Sequence, residues 1–108
     1  MRSTVKMVSL AVLRTVLQPF CQKYGIRRLE VFGSTARGEA TPDSDVDLLV
    51  TFGEGESVPT AALLEMAGEA EELLGRPVDF VLRRSLLESP NRFAREQILG
   101  SVVSVYGN

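Results

Sequence analysis

The 108-residue chain contains no histidine, no tryptophan and a single cysteine, Cys21. Without histidine, histidine-ligated zinc and histidine general-base catalysis are excluded, and with them the common serine and cysteine triads. Any catalysis must therefore use carboxylates. A lone cysteine cannot form an internal disulfide, and Cys21 falls within a helical apolar pattern, so it reads as a small buried hydrophobe in a reducing compartment. Neither sign of charge is in excess: 12 basic and 14 acidic side chains give a net charge of −2 and a pI near 5.1. Such a balance is poor equipment for tracking a nucleic-acid backbone, so no direct nucleic-acid binding is expected. Long apolar runs are missing too. Val5 to Leu17 is interrupted by Lys6 and Arg14, which predicts neither a membrane span nor a secretory leader, and places the protein in the cytoplasm. What remains is ordinary globular material, 44% hydrophobic and 24% charged. At this length it predicts one domain over residues 1–108 with a true core.

Val5, Val8, Val12, Val16 and Phe20 recur at helical spacing, with Leu13 and Leu17 widening the stripe. This predicts an amphipathic helix, kinked or broken at Pro19 and ended at Tyr24-Gly25. Arg27 to Phe32 reads as a short strand stopped by Gly33. Ser34 to Ser44 is rich in small, turn-forming residues, with Thr41-Pro42-Asp43-Ser44 a turn. A second strand follows, in which Val46, Leu48 and Val50 alternate with Asp45, Asp47, Leu49 and Thr51. After an acidic loop at Gly53 to Ser57, Leu63, Leu64, Ala67, Ala70 and Leu74 mark a crossover helix opened by Pro59 and closed by Gly75. Pro77 to Leu82 forms a third strand. Ser85 to Glu88 has capping-box spacing for a short helical turn, Asn91 to Leu99 is a helix with Phe93, Ile98 and Leu99 as its apolar side, and Val102 to Tyr106 is an ambiguous last strand. The predicted fold class is α/β (α+β), a small mixed sheet with helices packed on it.

If the first two strands are antiparallel neighbours, Gly33-Ser34 and Asp45/Asp47 meet at one edge of the sheet. A right-handed crossover to a parallel third strand brings Asp79 to the same edge. Asp45 and Asp47, two apart on a strand, project from one face roughly 6.6 Å apart along it. They can converge on one cation. An all-oxygen donor set suits Mg2+, which keeps waters and takes further ligands from substrate phosphates, so a nucleoside triphosphate is implied. Gly33 permits close approach of the backbone, and the Ser34 hydroxyl with the following amides can donate to phosphate oxygens, the more so if that turn is helical. Asp79 completes a set of three carboxylates, able to hold a second metal or to accept the proton of an attacking hydroxyl. Three like charges at one edge repel, so a cation should stabilise the fold. Arg37 is a secondary candidate for a triphosphate contact, beside its reading as a surface arginine in a turn. Taken singly, Gly33-Ser34 is a strand-ending turn and each aspartate a solvated charge; it is their combination that points to chemistry.

The run Gly33-Ser34, ten residues, Asp45-Val46-Asp47, then Leu48-Leu49-Val50, resembles the signature of the polymerase-beta-type nucleotidyltransferase superfamily. The segments Val31 to Gly38, Asp43 to Val50 and Val78 to Val81 make the chain similar to its minimal nucleotidyltransferase (MNT) family. The resemblance implies a pair of Mg2+ ions on Asp45, Asp47 and Asp79, nucleotide binding at Gly33, Ser34 and Arg37, and transfer of AMP from ATP with release of pyrophosphate. It further implies a hetero-oligomeric partner, a HEPN-type ribonuclease toxin whose tyrosine is adenylylated, with this chain as the antitoxin. Two other readings stay open: a non-catalytic module that neutralises its partner by occlusion, and nucleotide transfer to a small molecule or RNA end.

Overall fold

The first helix begins where a serine can cap it. In a computed structural model, which describes residues 9–37, 45–53 and 58–107, Ser9 Oγ accepts from the Val12 N–H at 3.1 Å. Helix α1 then spans Leu10–Tyr24 and ends at Gly25 in the left-handed conformation, φ 67°. Val5 and Val8 of the predicted stripe lie outside the described residues. Pro19 does not break α1. The carbonyl deprived of a donor is that of Thr15; Thr15 and Pro19 are both exposed, on the side where water can replace the lost bond.

The remaining elements are β1 (Arg28–Phe32), α2 (Gly33–Ala36), β2 (Val46–Thr51), α3 (Thr60–Leu74), β3 (Val78–Leu82), α4 (Arg83–Leu87), α5 (Arg92–Leu99) and β4 (Val103–Tyr106). The strands form one mixed sheet in the order β3-β2-β1-β4. β1 is antiparallel to both β2 and β4, whereas β2 and β3 run parallel. The last strand, ambiguous in sequence, is thus real and lies against β1. The predicted turn at Thr41 to Ser44 lies outside the described residues.

Strand alternation sorts the side chains onto two faces. Leu29 and Val31 of β1, Val46, Leu48 and Val50 of β2 and Val78 of β3 turn toward α1 and α3, where Leu13, Leu17, Phe20, Cys21, Met66 and Ala70 meet them in one core. Phe20 packs edge-on against Tyr24 and Phe80. Fully burying a Leu such as Leu13 or Leu17 contributes about 1.5–3 kcal/mol. The two helices are also clamped at their rim, where Tyr24 donates to Glu69 at 2.6 Å and Lys23 pairs with the same oxygen at 2.9 Å. The opposite face is thinner. Phe32, Leu49 and Leu86 are its buried apolar residues, with Val81, Ile98, Leu99 and Val102 packed around them.

Several expectations are corrected. Leu64 of the predicted stripe is 70% exposed, and Met66 is buried with Ala70 while Leu63 and Leu74 pack against the core. Phe93 is likewise 70% exposed, so the apolar side of α5 that packs on the sheet is Ile98 and Leu99. Ser85 caps nothing: α4 starts at Arg83, its N-cap Leu82 makes no side-chain cap bond, and Ser85 sits inside the helix. Asn91, expected as the first helical residue, is the cap, accepting from the Ala94 N–H at 3.0 Å. Among the described residues no helix is long and apolar enough to cross a membrane.

Candidate active site

The strand registers place Phe32, Asp47 and Asp79 in one row across β1, β2 and β3. Neighbouring strands lie about 4.8 Å apart, so the two aspartates sit side by side. Both share the sheet face of Leu49 and Val81, at the end of the sheet from which α2 departs. Asp45 immediately precedes β2 and is exposed; Asp47 is half-buried and Asp79 exposed. The structure brings Asp47 and Asp79 together as ladder partners, and Asp45 lies just before the strand of Asp47, near enough for its charge to act on that residue.

Their electrostatics show the crowding. Burial pushes the Asp47 carboxyl above its ordinary value of 3.8, and the negative charges of Asp79 and then Asp45 push it further, while the Arg37 guanidinium pulls the other way. Asp47 is therefore a carboxylate short of positive charge. Arg37, exposed at the end of α2, belongs to the same electrostatic neighbourhood, and its main-chain N–H donates to the Gly33 carbonyl at 3.2 Å.

Gly33 explains how Asp47 fits. Its φ is 71°, which side-chain-bearing residues rarely adopt, and a Cβ there would stand 2.5 Å from Asp47 Oδ2. The close approach that this glycine permits is that of the Asp47 carboxylate against the main chain. The residues after it form the helical turn α2, the conformation in which successive amides point together. Ser34 is the second residue of that turn; its side chain lies outside what the structure describes.

Oxygen donors on adjacent strands, whose like charges repel, fit a hard divalent cation. Among the described residues no group of three metal-ligating side chains is preassembled into a cage. A cation bound by these aspartates would draw its remaining ligands from water and substrate, the usual habit of Mg2+.

Sequence reasoning misjudged one neighbour. Arg83, which from sequence alone is a solvated strand end, pairs at 2.7 Å with Glu30, which is 7% exposed on β1. The pair joins α4 to the sheet face that carries the aspartates. The available signal was Glu30 itself, a charged residue inside the apolar run of a central strand.

A mixed sheet with helices on it and aspartates beside a glycine-led turn defines the class, an α+β fold whose site suits a divalent cation. The chain belongs to the nucleotidyltransferase domain family, whose model matches residues 13–104. A Methanocaldococcus jannaschii relative, named as a candidate protein adenylyltransferase, is 38% identical over 87 residues, 81% of this chain and 87% of its own length. The protein adenylyltransferase MntA of Thermococcus cleftensis is 46% identical over 66 residues, 60% of this chain and 64% of its own. A solved structure described as a candidate minimal nucleotidyltransferase superposes with a TM-score of 0.68 at 39% identity, covering 91% of this chain and 97% of that one. The fold also matches a chain in a complex of a tri-AMPylated Shewanella oneidensis HEPN toxin with an MNT antitoxin, with a TM-score of 0.65 at 17% identity, covering 92% and 73%.

Proposed function

We propose that this nucleotidyltransferase moves AMP from ATP onto a tyrosine of a HEPN-type ribonuclease toxin, releasing pyrophosphate, and so acts as the antitoxin of a pair. The observation that carries the reading is the row of Asp47 beside Asp79, with Asp45 adding its charge and Gly33 opened to admit the Asp47 carboxylate. The relatives named as protein adenylyltransferases and the fold shared with a toxin-antitoxin complex support the choice of a protein acceptor.

Asp45 and Asp47 would hold Mg2+ with the triphosphate, and Asp79 would complete a second ion's ligands or take the acceptor's proton. Bound there, two such ions would offset the negative charge that builds on the α-phosphate and the departing pyrophosphate. The acceptor oxygen bonds to the α-phosphorus as the bond from that phosphorus to the oxygen bridging the β-phosphorus breaks. The hydroxyl proton passes to Asp79 or to water, and pyrophosphate leaves with the electron pair. The amides of α2, the Ser34 hydroxyl and Arg37 would hold the phosphates during transfer. The reading is of a single cytoplasmic domain spanning residues 1–108 that assembles with its acceptor.

Label transfer from α-phosphate-labelled ATP with Mg2+ to a co-purified partner tests this, run beside an Asp45→Asn/Asp47→Asn variant. One labelled partner band, lost in the variant, is the expected result. A partner that co-purifies, stays unlabelled and is still neutralised by the variant overturns it in favour of occlusion.

A further inference from the structure

Among the described residues β3 is an edge strand, with only β2 beside it. The ladder between them begins where the Val46 N–H donates to the Pro77 carbonyl at 2.9 Å. Along a strand the main-chain groups of successive residues point to opposite sides, so the Val78 N–H points away from β2, to the side where no described strand lies. A side chain meets it: Glu71 Oε2 accepts from Val78 N at 3.2 Å. Glu71 stands in the last turn of α3, and its own carbonyl accepts from the Gly75 N–H at 2.8 Å. One residue thus closes the helix and fixes the first free donor of the strand that follows.

The next residue is Asp79, paired across the ladder with Asp47. These carboxylates repel each other, and an edge strand is the part of a sheet least able to resist such a push. β2 holds the start of β3 from one side and Glu71 from the other. We propose that Glu71 is a positioning residue, which keeps Asp79 in register beside Asp47 so that both can serve one bound metal and nucleotide. This rests on the reading of Asp79 as a ligand or base given above.

The test compares Glu71→Ala, Glu71→Gln, Asp79→Asn and the Glu71→Ala/Asp79→Asn double variant. Mn2+ binding is followed by electron paramagnetic resonance with a non-hydrolysable ATP analogue, and Val78 amide exchange by NMR. Glu71→Ala should weaken Mn2+ binding roughly tenfold, as loss of an outer-shell partner does, and speed Val78 exchange. Glu71→Gln, which keeps an oxygen acceptor, should stay near wild type, and the double variant should bind no more weakly than Asp79→Asn alone. Wild-type Mn2+ affinity in Glu71→Ala, or an equal further loss in the Asp79→Asn background, overturns the proposal while leaving the role of Asp79 standing. Wild-type affinity in Asp79→Asn overturns the reading of Asp79 and this proposal with it. Should Glu71→Ala not fold, Glu71→Asp, which shortens the reach by one methylene, takes its place and must give a partial loss; wild-type affinity there refutes the role.

Discussion

The two faces of the sheet have different work. The face under α1 and α3 is a continuous apolar core running from Leu13 to Val105, with the side chains of Val46, Leu48 and Val50 turned into it. The other face has Phe32, Leu49 and Leu86 as its buried apolar residues, and its free end carries Asp47 and Asp79. Like-charged carboxylates cost stability, and a thickly covered face would also deny a triphosphate its approach. The fold places its cohesion on one side and its strain on the other, so the site can be unfavourable in the empty protein without unfolding it.

Asp47→Asn gives the sharpest separation of the two. It should lower AMP transfer about 10³-fold, a loss of about 4 kcal/mol in transition-state binding. In the metal-free protein the same change removes a half-buried charge and should raise the melting temperature by about 2–4 °C. Calorimetry beside the label-transfer assay reads both; a lower melting temperature would break the comparison. Leu17→Ala is the converse. A fully buried Leu on the thick face should cost about 3–4 kcal/mol in denaturant unfolding, against about 2 kcal/mol for Leu86→Ala on the thin face. Transfer per folded Leu17→Ala molecule should stay unchanged.

Gly33→Ala should cost about 1–2 kcal/mol in backbone strain and also displace Asp47. Gly107 has φ 78° and faces the Arg27 carbonyl oxygen, main chain that cannot swing aside, so Gly107→Ala should cost more stability than Gly33→Ala yet leave transfer per folded molecule intact. Equal activity losses in the two variants would mean that Gly33 matters only as a turn.

The smallest of these effects is in pH. Asp47 has its folded pKa raised, so its contribution to stability is fully present below the unfolded value and is lost as pH rises through the folded one. Glu69 acts oppositely: the hydrogen bonds from Tyr24 and Lys23 lower its value, so its contribution is lost as pH falls. Comparing wild type with Asp47→Asn isolates the first. Mg2+ should raise the wild-type melting temperature by about 2 °C more at neutral pH than near pH 4, because metal displaces the proton. An equal rise at both would place the cation elsewhere.

The strands and the acidic residue of β2 were legible because both obey a period of two: the same alternation that buries Val46, Leu48 and Val50 sets Asp47 on the opposite face. Helix faces were harder to read. Leu64 and Phe93 fit an apolar stripe as well as Met66 and Ile98 do, and only the packing of α3 and α5 on the sheet decides which turn inward. Contacts between distant residues, such as Arg83 with Glu30, left little local trace. The Ser85 capping box failed because α4 starts directly from β3, before the serine is reached.

The thick face also contains the chain's only thiol. Cys21 is fully buried, and burial pushes its pKa up to about 12. In the native state it should ignore iodoacetamide and disulfide reagents near pH 8, and react once α1 leaves the sheet. The protein therefore carries its own clock. The rate at which Cys21 becomes labelled reports how often the core opens, free and in complex, without adding a probe.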